Sequence, residues 1–380
     1  MSTIMPSRIR ELADAAFKMD DVLRLQFGES TLSTPDFIKQ AVIQAMEDGY
    51  TFYTENAGLP ELRQAIAKHY NSLHGVDIDP RSEIMVTASG VQALNVAIRC
   101  VIDPGDEAIV LTPNWPNGVE NIKMCNGIAR EIPYVWNADR YDIDMDALEA
   151  AVTPRTRLLL YASPSNPLGW VARQSDQKKL LKFCRRHRLW LLADEVYERI
   201  YYDGSVAPSI LKLCGREDAV IVVQSFSKSY CMTGWRLGWL VSRADLIEKS
   251  IQLNEFIVSH APSMIQRAGE TALEHGEHFI QSMVASLQKN AVFCFNALSD
   301  TKGVSVTKPE GAFYLFPKIS GMKDSFSYAL QLLRETKVSL APGAAFGNGG
   351  EGSLRLCYAS DMSVLEPAME RLSSFIEANL

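Results

Sequence analysis

The stretch Ala219-Val-Ile-Val-Val223-Gln-Ser-Phe-Ser-Lys228-Ser-Tyr-Cys-Met-Thr-Gly-Trp-Arg236-Leu-Gly-Trp-Leu-Val241 decides the architecture of this chain. Ala219–Val223 is short and wholly apolar, as strands covered on both faces are. Arg236–Val241 reads as a second strand, yet only the twelve residues Gln224–Trp235 separate the two. A helical crossover between parallel strands needs a dozen residues or more, so this link sits at the lower limit. The segment also carries Ser225, Ser227, Lys228 and Arg236, two hydroxyls and two cations that an apolar scaffold does not require. We therefore expect Arg236–Val241 to run antiparallel to its neighbours, and the link to do more than connect.

Upstream the apolar runs recur at Ile84–Val86, Ala108–Leu111, Arg157–Tyr161 and Leu189–Ala193. Helical segments lie between them, such as Val91–Val101 and Asp176–Arg188. Thr34-Pro35-Asp36 is a helix start, and Pro60-Glu61 opens a helix to Gly75 with Leu62, Ile66 and Tyr70 on one stripe. This alternation implies a mostly parallel sheet with helices on both faces. After residue 243 the character changes. A long helical stretch (243–297) leads to strands near Val304–Val306 and Ala312–Phe316, a Gly/Pro cluster at 341–352, and a strand at Leu354–Tyr358. An amphipathic helix, Ser363–Ala378, closes the chain with Leu365, Met369, Leu372 and Ile376 at helical spacing.

At 380 residues two domains are the default. We expect a large domain over 40–275 and a smaller α+β domain formed by 1–39 and 276–380. A net charge of −7 argues against nucleic acid or an anionic membrane as partner. The seven cysteines are scattered and no Cys-x-x-Cys occurs, so buried thiols in a reducing compartment are expected, with no metal site. Met1–Asp21 lacks the apolar stretch of a signal peptide, and no run approaches a membrane span. A cytoplasmic protein is the expectation.

Open α/β sheets collect their sites in the turns that follow strands. Four such turns stand out. Thr87-Ala-Ser89-Gly90-Val91-Gln92 offers a helix N-terminus to a phosphate, although Ser89 alone reads as a helix cap. Ser163-Pro-Ser-Asn166-Pro167-Leu-Gly169 puts an amide at a strand mouth. Asp194-Glu195-Val196-Tyr197 follows an apolar strand, where a carboxylate needs a cationic partner or serves as a cap. Lys228 is in the fourth, beside a buried strand and a Gly-Trp-Arg turn. Lysine forms Schiff bases with aldehydes, and an acid can keep a pyridine nitrogen protonated. Arg355 lies in the apolar strand Ser353–Tyr358, where an unpaired guanidinium is expensive. By contrast, Glu274-His275-Gly-Glu277-His278 has no recognisable ligand spacing, and the basic run Lys178–Arg188 reads as a solvated helix face.

Taken together, Tyr53–Arg63, Ser163–Gly169, Asp194–Tyr197, Ser225–Gly238, Pro309–Tyr314 and Ala341–Arg355 resemble the class I/II aminotransferase family of fold-type-I pyridoxal-phosphate enzymes. The resemblance spans essentially the whole chain. It implies an α/β fold with a mostly parallel seven-stranded sheet containing one antiparallel strand. It also implies pyridoxal 5'-phosphate held by Lys228, which would shuttle the substrate α-proton. Asp194 would pair with the pyridinium nitrogen, Tyr197 and Asn166 with the ring's phenolic oxygen, and Trp115 would stack on the ring. Ser89, Gly90, Val91, Ser225, Ser227 and Arg236 would surround the phosphate. Arg355 would grip the substrate carboxylate, with Asn166 and Gly28 beside it. Tyr53 would reach the cofactor of a second subunit, making the site a property of a homodimer.

The chain departs from the family in ways that bear on substrate. Val91 stands where aspartate-specific relatives often carry a lysine, Gly28-Glu-Ser-Thr-Leu32 replaces the usual opening, and Trp170 replaces a small residue. A neutral or aromatic L-amino acid is therefore expected as donor, and a 2-oxo acid as acceptor. Alternatives within the family are lyases, decarboxylases and synthases; a non-catalytic ligand-binding relative is a remote one. The enzyme region is expected to begin at the start of the chain, without the DNA-binding domain of the regulator relatives.

Overall fold

A computed structural model describes residues 6–137 and 139–380, so the first five residues of the segment assigned to the smaller domain lie outside it. Its centre is a seven-stranded sheet: β1 (Ile84–Thr87), β2 (Glu107–Thr112), β3 (Ile128–Pro133), β4 (Thr156–Ala162), β5 (Trp190–Asp194), β6 (Val220–Ser225) and β7 (Gly238–Ser242). The spatial order is β1-β7-β6-β5-β4-β2-β3. As the short link implies, β7 is antiparallel to both neighbours, and the other pairings are parallel.

Alternation along the strands builds two cores. Val86, Ile109, Leu111, Leu159, Tyr161 and Val222 face one helical layer, and Met85, Ala108, Val110, Leu158, Leu160 and Ile221 face the other. Both faces are thus sealed by helices, which explains why these strands read as continuous apolar runs. A third core surrounds the short strands Tyr314–Leu315 and Leu354–Cys357 and the helices Glu277–Asp300 and Met362–Ala378.

Two expectations need correction. The run 243–297 is three helices, Ala244–Glu255, Ser263–His275 and Glu277–Asp300. Pro262 ends one approach, and Gly276 marks the other break. A Cβ on Gly276 would stand 2.4 Å from the Ala272 carbonyl and 2.6 Å from the Tyr230 ring. The second correction is that β3 lies in a segment with no strand assigned to it. Ile-Ala-Arg-Glu-Ile-Pro is an edge strand, half exposed, and its charges and proline suit an edge while hiding the apolar signal.

Register brings the turns together. Gly238 on β7 pairs with Thr87 on β1 and with Ser225 on β6, so the ends of β1 and β6 flank one residue. Asp194 at the end of β5 pairs with Val223 on one side and Ala162 on the other. The carboxyl ends of β1, β4, β5 and β6 and the start of β7 therefore open onto one place.

Candidate active site

That place is a cavity of about 190 Å³. Gly28, Gly90, Val91, Trp115, Asn166, Asp194, Tyr197, Ser225, Ser227, Lys228 and Arg236 all line it. Lys228 sits in a one-turn helix, Phe226–Ser229, capped by the Ser225 hydroxyl, which accepts from the Ser227 N–H at 3.1 Å. Its Nζ donates to the Gly28 carbonyl at 2.6 Å. Burial pulls the Lys228 ammonium down to about 8.

Among the described residues the Asp194 carboxylate receives one hydrogen bond, from the Val196 N–H at 3.3 Å. Burial raises it to about 6, against the lowering effects of that bond and of the Lys228 charge. A cationic N–H is the partner this carboxylate suits best. Asn166 accepts from Arg355 Nη1 at 3.0 Å, which turns its amide N–H₂ toward the cavity.

Arg355 is 0% exposed. It also donates to the Gln26 carbonyl, and its Nε has no partner among the described residues. The guanidinium packs 4.6 Å from the Tyr314 ring, 4.9 Å from Phe346 and 5.9 Å from Trp115. No carboxylate among the described residues neutralises it, which leaves a buried positive charge behind the cavity wall at Asn166 and Trp115.

At the opposite end, the helix Gly90–Val101 aims its N-terminus at Ser225 and Arg236. The Gly90 and Val91 N–H groups have no upstream carbonyl within the helix, which makes an anion cradle with the Ser225 and Ser227 hydroxyls. The Ser89 side chain instead caps its own helix, accepting from the Gln92 N–H at 3.1 Å, with φ 124°. That left-handed backbone is a strained setting for a serine.

The profile of the family "Aminotransferase class I and II" matches residues 20–372. The chain belongs to this family. Aromatic-amino-acid aminotransferase 2 of Thermococcus litoralis is 32% identical, covering 99% of this chain and 97% of the relative. The aspartate aminotransferase of Pyrococcus abyssi is 34% identical with the same coverage. The crystal structure of an aromatic aminotransferase from Pyrococcus horikoshii superposes with a TM-score of 0.90 at 33% identity, covering 97% of this chain and 99% of that one. The protein is thus a fold-type-I aminotransferase.

Ser89 and Arg355 border this aminotransferase's cavity without lining it, and Tyr53 and Trp170 stand apart from it. Tyr53 is 92% exposed, its ring edge-on to His260 at 5.7 Å. Trp170 is buried against Tyr134, 4.9 Å between ring centroids, and under Arg140 at 5.4 Å, so it adds no bulk to the cavity. Conversely, the reading by motif gave no role to Tyr314, which lines the cavity and whose hydroxyl lies 2.6 Å from that of Tyr197. The motif Pro309–Tyr314 contained it; only the packing shows which way it points.

Proposed function

We propose that this aminotransferase uses pyridoxal 5'-phosphate bound to Lys228 to move an amino group from a neutral or aromatic L-amino acid to a 2-oxo acid. The observation that carries the reading is one cavity lined by a primary amine of lowered basicity and a nearly unpartnered carboxylate, with the Arg355 guanidinium buried directly behind its Asn166 and Tyr314 walls and no acid among the described residues to pair it. When bound, the cofactor supplies an aldehyde for amine exchange and a ring that accepts the electron pair left by the α-proton.

The rest falls to the chain's own side chains. Asp194 holds the ring nitrogen protonated, and the Asn166 amide and Tyr197 hydroxyl donate to the ring oxygen. Ser225, Ser227, Arg236 and the N–H groups of Gly90 and Val91 hold the phosphate. Arg355 fixes the substrate carboxylate, which orients the α-carbon. Burial lowers the Lys228 ammonium to about 8 in the ligand-free site, which suits the released amine to accept the α-proton and return it. Val91 is apolar, and the cations lining the cavity, Lys228 and Arg236, already have tasks, which favours an uncharged donor side chain.

The same proposal includes a homodimer. Phe52, Tyr53 and Phe256 are more than four-fifths exposed, and Ile257 and Val258 are exposed beside Phe256, an apolar surface that a second copy would cover. Tyr53 would then serve the partner's cofactor. Residues 40–275 form the cofactor domain and 1–39 with 276–380 the smaller one. Free thiols at all seven cysteines suit the cytoplasm, and no described helix is long and apolar enough to cross a membrane.

The test is to load the purified protein with pyridoxal phosphate and add amino acids one at a time with a 2-oxo acid. A visible band that shifts with the donor, and a matching oxo acid formed, are expected; Lys228→Ala loses both. Ammonia or carbon dioxide in place of the oxo acid would overturn the transfer reaction.

A further inference from the structure

We infer that Tyr314 is a positioning residue for the reaction: its hydroxyl donates to Tyr197, and so directs the single Tyr197 proton to the anionic oxygen of the bound cofactor. This rests on the cofactor reading above. The two hydroxyls are 2.6 Å apart and buried, with either able to donate when nothing else is bound. Burial, the largest influence on each, holds both phenols well above their ordinary range, so each brings one proton at neutral pH. A phenol has one proton and two lone pairs. Once Tyr197 gives its proton to the cofactor oxygen, the Tyr314–Tyr197 contact survives only with Tyr314 as donor. A donor behind a donor strengthens the second bond through polarisation.

The placement of Tyr314 is built in from three sides. Its backbone pairs with Cys357, two residues from Arg355, and the Arg355 guanidinium lies 4.6 Å over its ring, which makes the phenol a better donor. On the third side stands Gly28. A Cβ there would be 2.3 Å from the Tyr314 hydroxyl and 3.2 Å from Cζ. The absence of a side chain at Gly28 therefore makes room for the Tyr314 hydroxyl, a task separate from accepting the Lys228 hydrogen bond through its carbonyl.

The test uses the protein loaded with pyridoxal phosphate and follows its visible band as a function of pH. Tyr314→Phe keeps the ring over Arg355 and removes only the hydroxyl. A weaker Tyr197 bond leaves the cofactor oxygen more basic, so the cofactor–lysine linkage keeps its proton to higher pH. The midpoint should rise by roughly 0.3–0.6 pH units. Gly28→Ala, which pushes the hydroxyl aside, should raise it similarly, and should add nothing in the Tyr314→Phe background. Lost thermal stability with an unmoved midpoint would overturn the inference, as would additive shifts. A wild-type protein with no Lys228-dependent band would instead overturn the cofactor reading and this inference with it.

Discussion

Gly238 packs directly on the backbone of Gly90: a Cβ on Gly238 would lie 2.5 Å from the Gly90 nitrogen and 2.6 Å from the Gln224 carbonyl. These neighbours are backbone atoms of the first helical residue after β1 and of the end of β6, and cannot step aside without opening the anion cradle. Gly238→Ala should cost at least about 2 kcal/mol of stability. It should also weaken phosphate-group binding more than a surface mutation of equal cost. Urea unfolding and a titration with pyridoxal phosphate measure the two effects; wild-type affinity in the variant would contradict the role given to this packing.

Arg355 is buried with no acid beside it among the described residues, so the fold spends stability to keep it there. Arg355→Met, which fills similar space without charge, should leave the unfolding midpoint unchanged or raised. The same variant should raise KM for the amino donor by about 100-fold or more, since a desolvated charge-assisted pair is lost. Calorimetry and steady-state kinetics separate the two outcomes. A large loss of stability with a normal KM would mean that Arg355 is a structural ion.

The Lys228 ammonium, lowered by burial to about 8, gives a pH signature to the cofactor-free protein. Between pH 8 and the ordinary lysine value of 10.5 the unfolded chain binds more protons at this position than the folded one. Stability from this group therefore rises with pH across that window, by up to about 3 kcal/mol. Asp194, raised to about 6, acts oppositely: between its ordinary 3.8 and 6 the folded state holds the extra proton, and stability falls as pH rises. Lys228→Met should flatten the alkaline rise. Urea midpoints taken from pH 7 to 10.5 check this, and identical slopes for both proteins would refute it.

The sheet was legible because most of its strands are sealed on both faces and so read as unbroken apolar runs, and β7 because twelve residues leave little room for a crossover. The strand β3 was not, because an edge needs charge and proline where a central strand needs valine. In the site, Lys228, Asp194 and Arg355 could be read because their chemistry is costly in the settings that the sequence predicts for them. Tyr314 and Trp170 could not. Both are aromatic residues in conspicuous motifs, and only the tertiary packing turns one into the cavity and the other into the core.

Val91 lines the cavity and is 44% exposed, at the second position of the helix Gly90–Val101, so a longer side chain can extend without entering the core. A cation there would face the donor side chain across the cavity rather than the Arg355 clamp. Val91→Lys should therefore raise kcat/KM for an acidic donor relative to a neutral one by about tenfold or more, the scale of one partly desolvated charge pair. The gain should shrink at high salt, because half the residue is open to solvent. Competition between aspartate and phenylalanine for one oxo acid, at low and high ionic strength, measures both effects. An unchanged ratio would mean that the donor side chain points away from Val91, and that donor choice is made by other walls of the cavity.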